Sequence, residues 1–498
     1  MAFNQIIKAH SQPSLKLIEL GDFDTASDSN SESFVKKPTQ LPDFSQSAGK
    51  TMPFVKLNGQ IITIIDNLTI YESGFIPTLE LIFTDQNGEF AGNYFPKRNL
   101  IVSIFINSGN DKFKPIRSDY LITKVKSLPV VNRSANTKLT SGTTYIIKAE
   151  LFIPRLYNNI SRSYSKLTSI DTLKKVSKDL GLGYAQNEFT THDTMTWINF
   201  NTSSYNFMRE VLDYSYQDDT SFFTGFISKE LIFTMINVNE QLIGGESDFT
   251  FSNTADPLKV SLIQDQKENT LNTAISKTTI VNFLTNQRTS AGKPNYIYEA
   301  NLVSEHGEIL KMNGYKKEIY YYDHFESDET KKFKTFFITP THNESLPKET
   351  MLIPQDEGFD EVGHKKWMNI NYGNTHEHWN AARVFNSHNL KELNKLNLRV
   401  LLKGVNFQII RGMSIPVLMT QSMAERLLKE TDATSKTQIN PNNETLDSET
   451  IDSQISGLYY VKEAKYIFDP LDPHIFLTEL ILARREWRPS KINFTTNA

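Results

Sequence analysis

The chain of 498 residues carries 53 Lys and Arg residues against 57 Asp and Glu residues, and it contains no cysteine. The net charge of −4 argues against dedicated nucleic-acid binding, because no basic excess is present to release counterions from phosphates. The lack of cysteine excludes disulfides, thiolate zinc sites, iron–sulfur clusters and a cysteine nucleophile.

Composition and hydropathy describe a globular protein of more than one module. Hydrophobic residues make up 39% of the chain and charged residues 22%, and this length corresponds to about three domains. The first 20 residues lack the apolar core of a signal peptide, and no apolar run reaches 18 residues. We therefore expect synthesis in the cytoplasm, without direct membrane binding.

The N-terminal region, residues 1–50, is predicted to be a polar arm. Residues 21–50 are rich in Ser, Asp, Thr and Pro, a composition that buries too little apolar surface to offset chain entropy. Two interpretations stay open: a disordered tail, or an extended arm that becomes ordered on a neighbouring subunit.

Residues 51–158 show the two-residue alternation of antiparallel strands. Leu79, Leu81 and Phe83 share one face, and residues 100–106 and 145–151 repeat the pattern. Turn-forming residues separate these runs. Several short strands of this kind predict a β-barrel or sandwich, which we assign as a first barrel.

Residues 159–250 are predicted to form an α+β insert. Thr168 is a good N-cap for a helix that ends before Gly181, and a second helix is expected to start near Ser204. Residues 222–227 and 231–236 flank a short turn and predict a hairpin.

The remainder divides into two regions and a short tail. Residues 251–395 form an aromatic-rich β module with a helix after residue 381, and part of this module contributes to a second barrel. Residues 396–490 contain that barrel, with strands near 396–402, 457–468 and 476–482. The acidic tract 430–456 is predicted to be a mobile surface loop, and residues 491–498 a tail. The predicted fold class is thus α+β and β-rich, with two similar antiparallel β-barrels and α+β inserted modules.

The two β-rich ends can be aligned with one another in four segments that occur in the same order. The aligned segments are 79–83 with 398–402, 95–106 with 407–419, 120–126 with 459–465, and 149–155 with 478–484. The alignment also matches Arg98 with Arg411, Lys126 with Lys465, Glu150 with Glu479, and Arg155 with Arg484. Hydrophobic alternation alone would not place charges at the same steps, so we expect an internal duplication. The alternative is that two unrelated half-buried sheets share their alternation.

Candidate chemical sites are few. Residues 44–51 end like a phosphate-binding loop, but Phe44 stands where the first glycine is required. On a strand, His376 and His378 would share a face and could bind a metal, although surface histidines are the simpler interpretation. Asp218–Asp219 and Asp323–His324 are interpreted as solvated turns. We therefore predict no enzyme, no catalytic residue, no cofactor and no metal.

The duplicated segments also resemble the baseplate hub proteins of contractile-tailed bacteriophages, which are related to the N-terminal part of type VI secretion spike proteins. The segments that carry the resemblance are 54–61, 77–81, 95–106, 118–123, 197–233 and 398–487. It implies a homotrimer that gives six tube-like barrels and adapts the six-fold tail tube to the three-fold central spike. The implied partners are the tail tube, central spike, baseplate wedge and tape-measure proteins, and the implied location is the virion tail.

Five arginines are our candidates for contacts between barrels or with the tube, because the guanidinium group binds carboxylates in a bidentate manner. They are Arg98, Arg155, Arg411, Arg484 and Arg485. The alternative is that they end strands in solvent. Two other functions are weighed: a tail-associated receptor- or glycan-binding protein, from the aromatic runs 320–322 and 336–337, and a wall-degrading hydrolase, for which no motif is found.

Overall fold

The computed structural model describes just over half of the chain. The described residues are 7–15, 54–57, 60–62, 64–86, 88, 90, 101–106, 116–131, 141–218, 220–244, 251–252, 281–282, 287–288, 295–304, 316–322, 330, 332–338, 362–368, 375–393, 396–403, 409–418, 457–469 and 476–484.

The described residues form 24 strands and four helices. The strands are β1 (Lys8–Ser11), β2 (Phe54–Leu57), β3 (Gln60–Ile62), β4 (Ile65–Glu72), β5 (Thr78–Asp85), β6 (Ile101–Ile106), β7 (Ile116–Val131), β8 (Ser141–Leu151), β9 (Asn159–Leu167), β10 (Gly183–Gln186), β11 (Met195–Ser203), β12 (Phe223–Ile227), β13 (Ile232–Asn237), β14 (Phe251–Ser252), β15 (Val281–Asn282), β16 (Gln287–Arg288), β17 (Asn295–Ser304), β18 (Lys316–Tyr322), β19 (Phe333–Ile338), β20 (Val362–Met368), β21 (Leu396–Lys403), β22 (Ser414–Leu418), β23 (Gly457–Phe468) and β24 (Phe476–Ala483). The helices are α1 (Ser169–Leu180), α2 (Ser204–Asp213), α3 (Val238–Gly244) and α4 (Trp379–Glu392).

One large sheet of 13 strands dominates the fold. Its order is β22-β14-β17-β21-β24-β23-β4-β5-β8-β7-β6-β2-β3, and β22 also pairs with β23. We call β4-β5-β8-β7-β6 the first half and β17-β21-β24-β23-β22 the second half. The two halves have the same order of five strands, and they join where β23 pairs with β4.

Two β-bulges show which residues of the halves are equivalent. One bulge lies between Ile65 and Asn67 on β4, and its counterpart lies between Ile297 and Glu299 on β17. The other lies between residues 122 and 124 on β7, with its counterpart between 461 and 463 on β23. Because a bulge fixes the register of the strands on both sides, these two pairs assign equivalent residues on four strands.

The ladder between β5 and β8 tests that assignment independently. Leu79 pairs with Ala149 in the first half, and their assigned equivalents, Leu398 and Leu482, pair with each other in the second half. The equivalence assigned from the bulges thus also holds across the β5–β8 ladder, without a further shift in register. The halves therefore match in strand order, in bulge position and in register.

The alternation predicted from sequence is confirmed in both halves. Leu79, Leu81 and Phe83 are buried, as are Leu398 and Val400. The same buried cluster extends into the insert, so a single apolar core connects the two halves with the 159–244 region. Burial of alternate residues is what drives these segments to form strands with one face inward.

Two features of the predicted duplication need correction. The described strands form one large, mainly antiparallel sheet in which β4 pairs with β23 across the halves, and two separate closed barrels are not confirmed. The register also makes Glu150 the equivalent of Ala483, whereas the sequence alignment matched it with Glu479. The fourth aligned segment is thus displaced by four residues. An even displacement preserves a two-residue alternation, so the sequence pattern could not reveal the error.

The insert confirms the predicted helices and hairpin. Thr168 caps α1 by accepting a hydrogen bond from the Asp171 backbone, and Gly181 ends the helix with φ of 78°. The helix α2 buries Phe207, Met208, Val211 and Leu212. Strands β12 and β13 form the antiparallel hairpin.

The N-terminal residues differ in part from the predicted arm. Strand β1 pairs antiparallel with β10, and so extends the insert's sheet to the order β1-β10-β13-β12. Residues 8–11 are therefore fixed on their own chain and not on a neighbouring subunit. Their side chains are mostly exposed, which explains why no apolar pattern marks the strand. Residues 16–50 lie outside the described part, as do residues 419–456 with the predicted acidic loop.

The region between the insert and β21 contributes to several sheets. Strand β17 joins the second half, whereas β18 pairs with β19 and β20 in a separate three-stranded sheet. The predicted helix is confirmed as α4. Its Asn386 side chain donates to the carbonyl oxygens of Leu212, Asp213 and Ser215, and so attaches α4 to the end of α2.

Candidate assembly site

The contact between the two halves, which we call the seam, is a short antiparallel ladder. Residues 464–468 of β23 pair with residues 68–72 of β4, and Tyr466 lies opposite Ile70. The exposed fraction of both side chains is 0%. The seam therefore joins two equivalent halves through buried side chains and backbone hydrogen bonds.

A buried ionic cluster lies at one end of the seam and connects it to the insert. The Lys229 amine lies 3.3 Å from Glu72 Oε1 and 3.1 Å from Glu230 Oε1. It also donates to the Tyr466 hydroxyl, at 3.4 Å. The Lys229 backbone N–H donates to the same Glu72 carboxylate at 3.2 Å. The cluster thus joins β4, β23 and the turn between β12 and β13.

The charges in this cluster are mutually compensated. The Lys229 side chain is fully buried, and burial by itself would lower the pKa of its amine. The carboxylates of Glu230 and Glu72 outweigh that effect and raise the pKa well above its usual value. Burial also raises the pKa of Tyr466, which keeps the phenol neutral. The cluster therefore holds a charged lysine, and removal of that charge would leave buried carboxylates without a compensating cation.

Arg411 makes a second connection between the same three regions. Its guanidinium group donates to the Lys462 carbonyl oxygen at 2.7 Å and to the Gly74 carbonyl oxygen. It also lies 4.7 Å from the centre of the Phe226 ring, which belongs to the insert. Gly412 follows with φ of 89°, and a Cβ atom there would meet Ile236 Cδ1 at 2.0 Å. A glycine is therefore required where the second half approaches the insert.

The five arginines predicted at interfaces have different environments. Arg411 connects the halves within one chain, as described above. Arg484 is buried and lies 4.9 Å from the centre of the Tyr459 ring, within the second half. Arg155 is exposed just after β8. Arg98 and Arg485 lie outside the described residues. The interface role of all five stays a prediction.

The histidine interpretation is wrong for His376, which is buried. Its Nε2 lies 3.0 Å from the Tyr214 carbonyl oxygen, and its ring packs against Trp197 and Trp379. Burial lowers the pKa of His376 to about 4, so the ring is neutral at pH 7. Residues 376–378 precede α4 and do not form a strand. The His378 ring stacks on the Tyr216 ring. Within the described residues, no group of three or more His, Asp or Glu side chains could hold a metal ion.

The acidic pairs singled out in the sequence are structural where they are described. The Asp218 carboxylate accepts hydrogen bonds from Thr220 and Ser221. Burial alone would raise the pKa of Asp218, but these hydrogen bonds hold it below its usual value. Asp219, Asp323, His324 and residues 44–51 lie outside the described part of the chain.

Sequence reasoning missed Glu72, Lys229 and Tyr466 as a group. Lys229 and Glu230 lie in the short turn of the predicted hairpin, where nothing local indicates burial. Glu72 is 157 residues from Lys229, and Tyr466 is 237 residues from it. The one local signal is a lysine within a hairpin whose flanking strands are mostly apolar.

The fold is similar to that of solved phage-tail and secretion-system proteins. A 43 kDa tail protein of prophage MuSo2 from Shewanella oneidensis is 9% identical, with a TM-score of 0.48; the match covers 88% of this chain and 99% of that one. A tail protein from Neisseria meningitidis MC58 is 8% identical, with a TM-score of 0.45 over 88% of this chain and 98% of that one. An E. coli component of the type VI secretion system, described as similar to bacteriophage T4 tail proteins, is 8% identical, with a TM-score of 0.39 over 88% and 80%.

The resemblance expected from the sequence is confirmed at the level of structural similarity. No family model and no curated protein sequence matches the chain. No helix in the described residues is long and apolar enough to cross a membrane.

Proposed function

We propose that the chain is a structural hub of a phage tail baseplate. In this proposal it is a homotrimer that adapts the six-fold tail tube to the three-fold central spike, and it has no enzymatic role. The observation that carries the proposal is the match between the two sheet halves in strand order, bulges and register.

A doubled chain is suited to a change of symmetry. Two equivalent halves in each of three copies supply six similar units around a three-fold axis, whereas the unduplicated insert is present three times. A closed ring of this kind also pairs strand edges that would otherwise be exposed. The halves would meet the tube, and the single-copy regions would meet the spike.

The buried ionic cluster supports a rigid hub. Lys229, Glu72 and Tyr466 connect both halves and the insert, so the relative positions of the three are fixed within one chain. An adaptor needs such rigidity because it transmits one symmetry to another. We place the tube, spike, wedge and tape-measure proteins as partners, with Arg98, Arg155, Arg411, Arg484 and Arg485 as candidate interface residues, in the virion tail.

The mass of the native assembly tests the proposal. Size-exclusion chromatography with light scattering should give three times the chain mass of 57.0 kDa, either for the chain alone or after co-purification with its spike. A strictly monomeric chain in both preparations, or a stable dimer, would contradict the hub. Binding of glycans by a monomer would favour the receptor-binding alternative.

A further inference from the structure

The residues that form the seam are buried, whereas their equivalents in the other half are exposed. Ile70 and Tyr466 are 0% exposed. Their equivalents by register are Leu302, which is 36% exposed, and Ser127, which is also exposed. Leu128 is 51% exposed, although its equivalent in the seam, Ile467, is half-buried. The side chains that are covered in the seam are thus uncovered on the equivalent strands of the other half.

The backbone edges show the same contrast. Strand β7 pairs with β8 along residues 120–131, but its pairing with β6 ends at Leu121. Among the described residues, the opposite edge of 122–131 has no strand beside it. Strand β17 likewise pairs with β21, and in the described part of the chain the strand paired with its other edge is β14, at residues 295–296. Each half therefore presents an edge whose equivalent is paired in the seam.

We infer that these two edges pair between copies of the chain and repeat the seam. Residues 125–129 of β7 would pair antiparallel with residues 300–304 of β17 in a second copy. The seam sets the register: Tyr466 lies opposite Ile70, so Ser127 lies opposite Leu302. The number of copies in the ring rests on the proposed function, whereas the pairing and its register rest on the internal equivalence.

The side chains of the two edges are compatible with this register. Leu128, Leu302 and Val303 are large apolar residues at exposed edge positions, which is the pattern of an edge that has a partner. Lys126 is the one charged residue in the two segments, so no like charges face each other. A lysine also occupies the equivalent step of the seam, where Lys465 lies 5.3 Å from the Tyr71 ring centre and 3.2 Å from Glu479 Oε2.

Disulfide cross-linking tests the register, since the natural chain contains no cysteine. The double variant Ser127→Cys/Leu302→Cys places the two thiols directly opposite each other, at a separation that a disulfide can span. We expect mild oxidation to join separate chains in a reducible product. The matched control Ser127→Cys/Ala300→Cys displaces one thiol by two residues and should cross-link at least tenfold more slowly. A second in-register pair, Leu128→Cys/Asn301→Cys, serves if the first variant does not fold.

The outcomes separate the pairing from the hub. Products that stop at three joined chains support both. Products that extend into longer ladders support the pairing and contradict the closed trimer. A trimer by mass whose folded in-register variants form no inter-chain disulfide, or whose displaced control reacts faster, overturns the pairing and leaves the hub in place. Absence of any inter-chain product over a wide concentration series overturns the pairing as well.

Discussion

The seam and the two uncovered edges are built from equivalent strands, yet they differ in burial. In the seam, Ile70 and Tyr466 are fully buried, and a charged lysine is compensated beside them. At the edges, the equivalents Leu302 and Ser127 face solvent in the single chain. The comparison indicates that one contact is completed by folding and the other by assembly. Changes in the seam should therefore affect stability, and changes at the edges should affect association.

The largest expected effect comes from loss of the buried lysine. Lys229→Met leaves the Glu72 and Glu230 carboxylates without their cation, and we expect the free energy of unfolding to fall by about 3–5 kcal/mol. Urea unfolding measures this change in the free energy of unfolding. Lys462→Met, which removes only a half-exposed pair with Glu463 at 3.7 Å, should cost less than about 1 kcal/mol. An equal loss of unfolding free energy in the two variants would contradict the central role of the buried ionic cluster.

A matched pair of truncations compares the two contacts directly. Ile70→Ala removes a fully buried side chain and should destabilise the chain by about 2–5 kcal/mol. Leu302→Ala, at the equivalent position, should change the unfolding free energy by less than about 1 kcal/mol and weaken association between copies roughly fivefold. Concentration-dependent light scattering measures the second effect. If Leu302→Ala destabilised the monomer as much as Ile70→Ala, the edge would not be a surface for assembly.

Two glycines that both have a positive φ test how closely the second half approaches the insert. Gly412→Ala combines a positive φ with a Cβ that would meet Ile236, so we expect a loss of about 2–4 kcal/mol. Gly88→Ala has φ of 73° but open space around the Cβ position, and should lose only about 1–2 kcal/mol. Thermal unfolding distinguishes the two. A smaller loss for Gly412→Ala than for Gly88→Ala would mean that the approach is looser than described.

The smallest effect concerns the ion pairs of Glu479 on β24, which lies opposite Lys465 of the seam. Burial alone would raise the pKa of Glu479, but Arg399 at 2.7 Å and Lys465 at 3.2 Å lower it. Its stabilisation is therefore present above the unfolded-state pKa of about 4.3 and is lost as the pH falls through the folded-state value. Glu479→Gln should cost roughly 0.2–1 kcal/mol at pH 7 and nothing at pH 2. A difference that persists in acid would exclude this electrostatic origin.

The sequence was sufficient for elements with local signals. Alternation predicted the strands of both halves, Thr168 and Gly181 predicted the ends of α1, and apolar runs predicted the β12–β13 hairpin. Two of the aligned segments, 79–83 and 120–126, have the same register in the structure as in the sequence alignment. Each of these depends on residues that are close together in the chain.

Features that depend on distant residues could not be predicted. The displaced fourth segment follows from a pattern that repeats every two residues and is unchanged by a shift of four. The burial of Lys229 and His376 depends on partners far away in sequence. Strand β1 has no apolar signal because its side chains are largely exposed, and backbone pairing with β10, which is distant in sequence, holds it in place.

A cryo-electron microscopy reconstruction of the native assembly tests the central claim most directly. The claim predicts six sheet halves in one ring around a three-fold axis, with residues 125–129 of each copy paired to residues 300–304 of the next. A reconstruction in which the two halves of one chain lie in different rings, or in which β7 and β17 face solvent in the complete assembly, would contradict it.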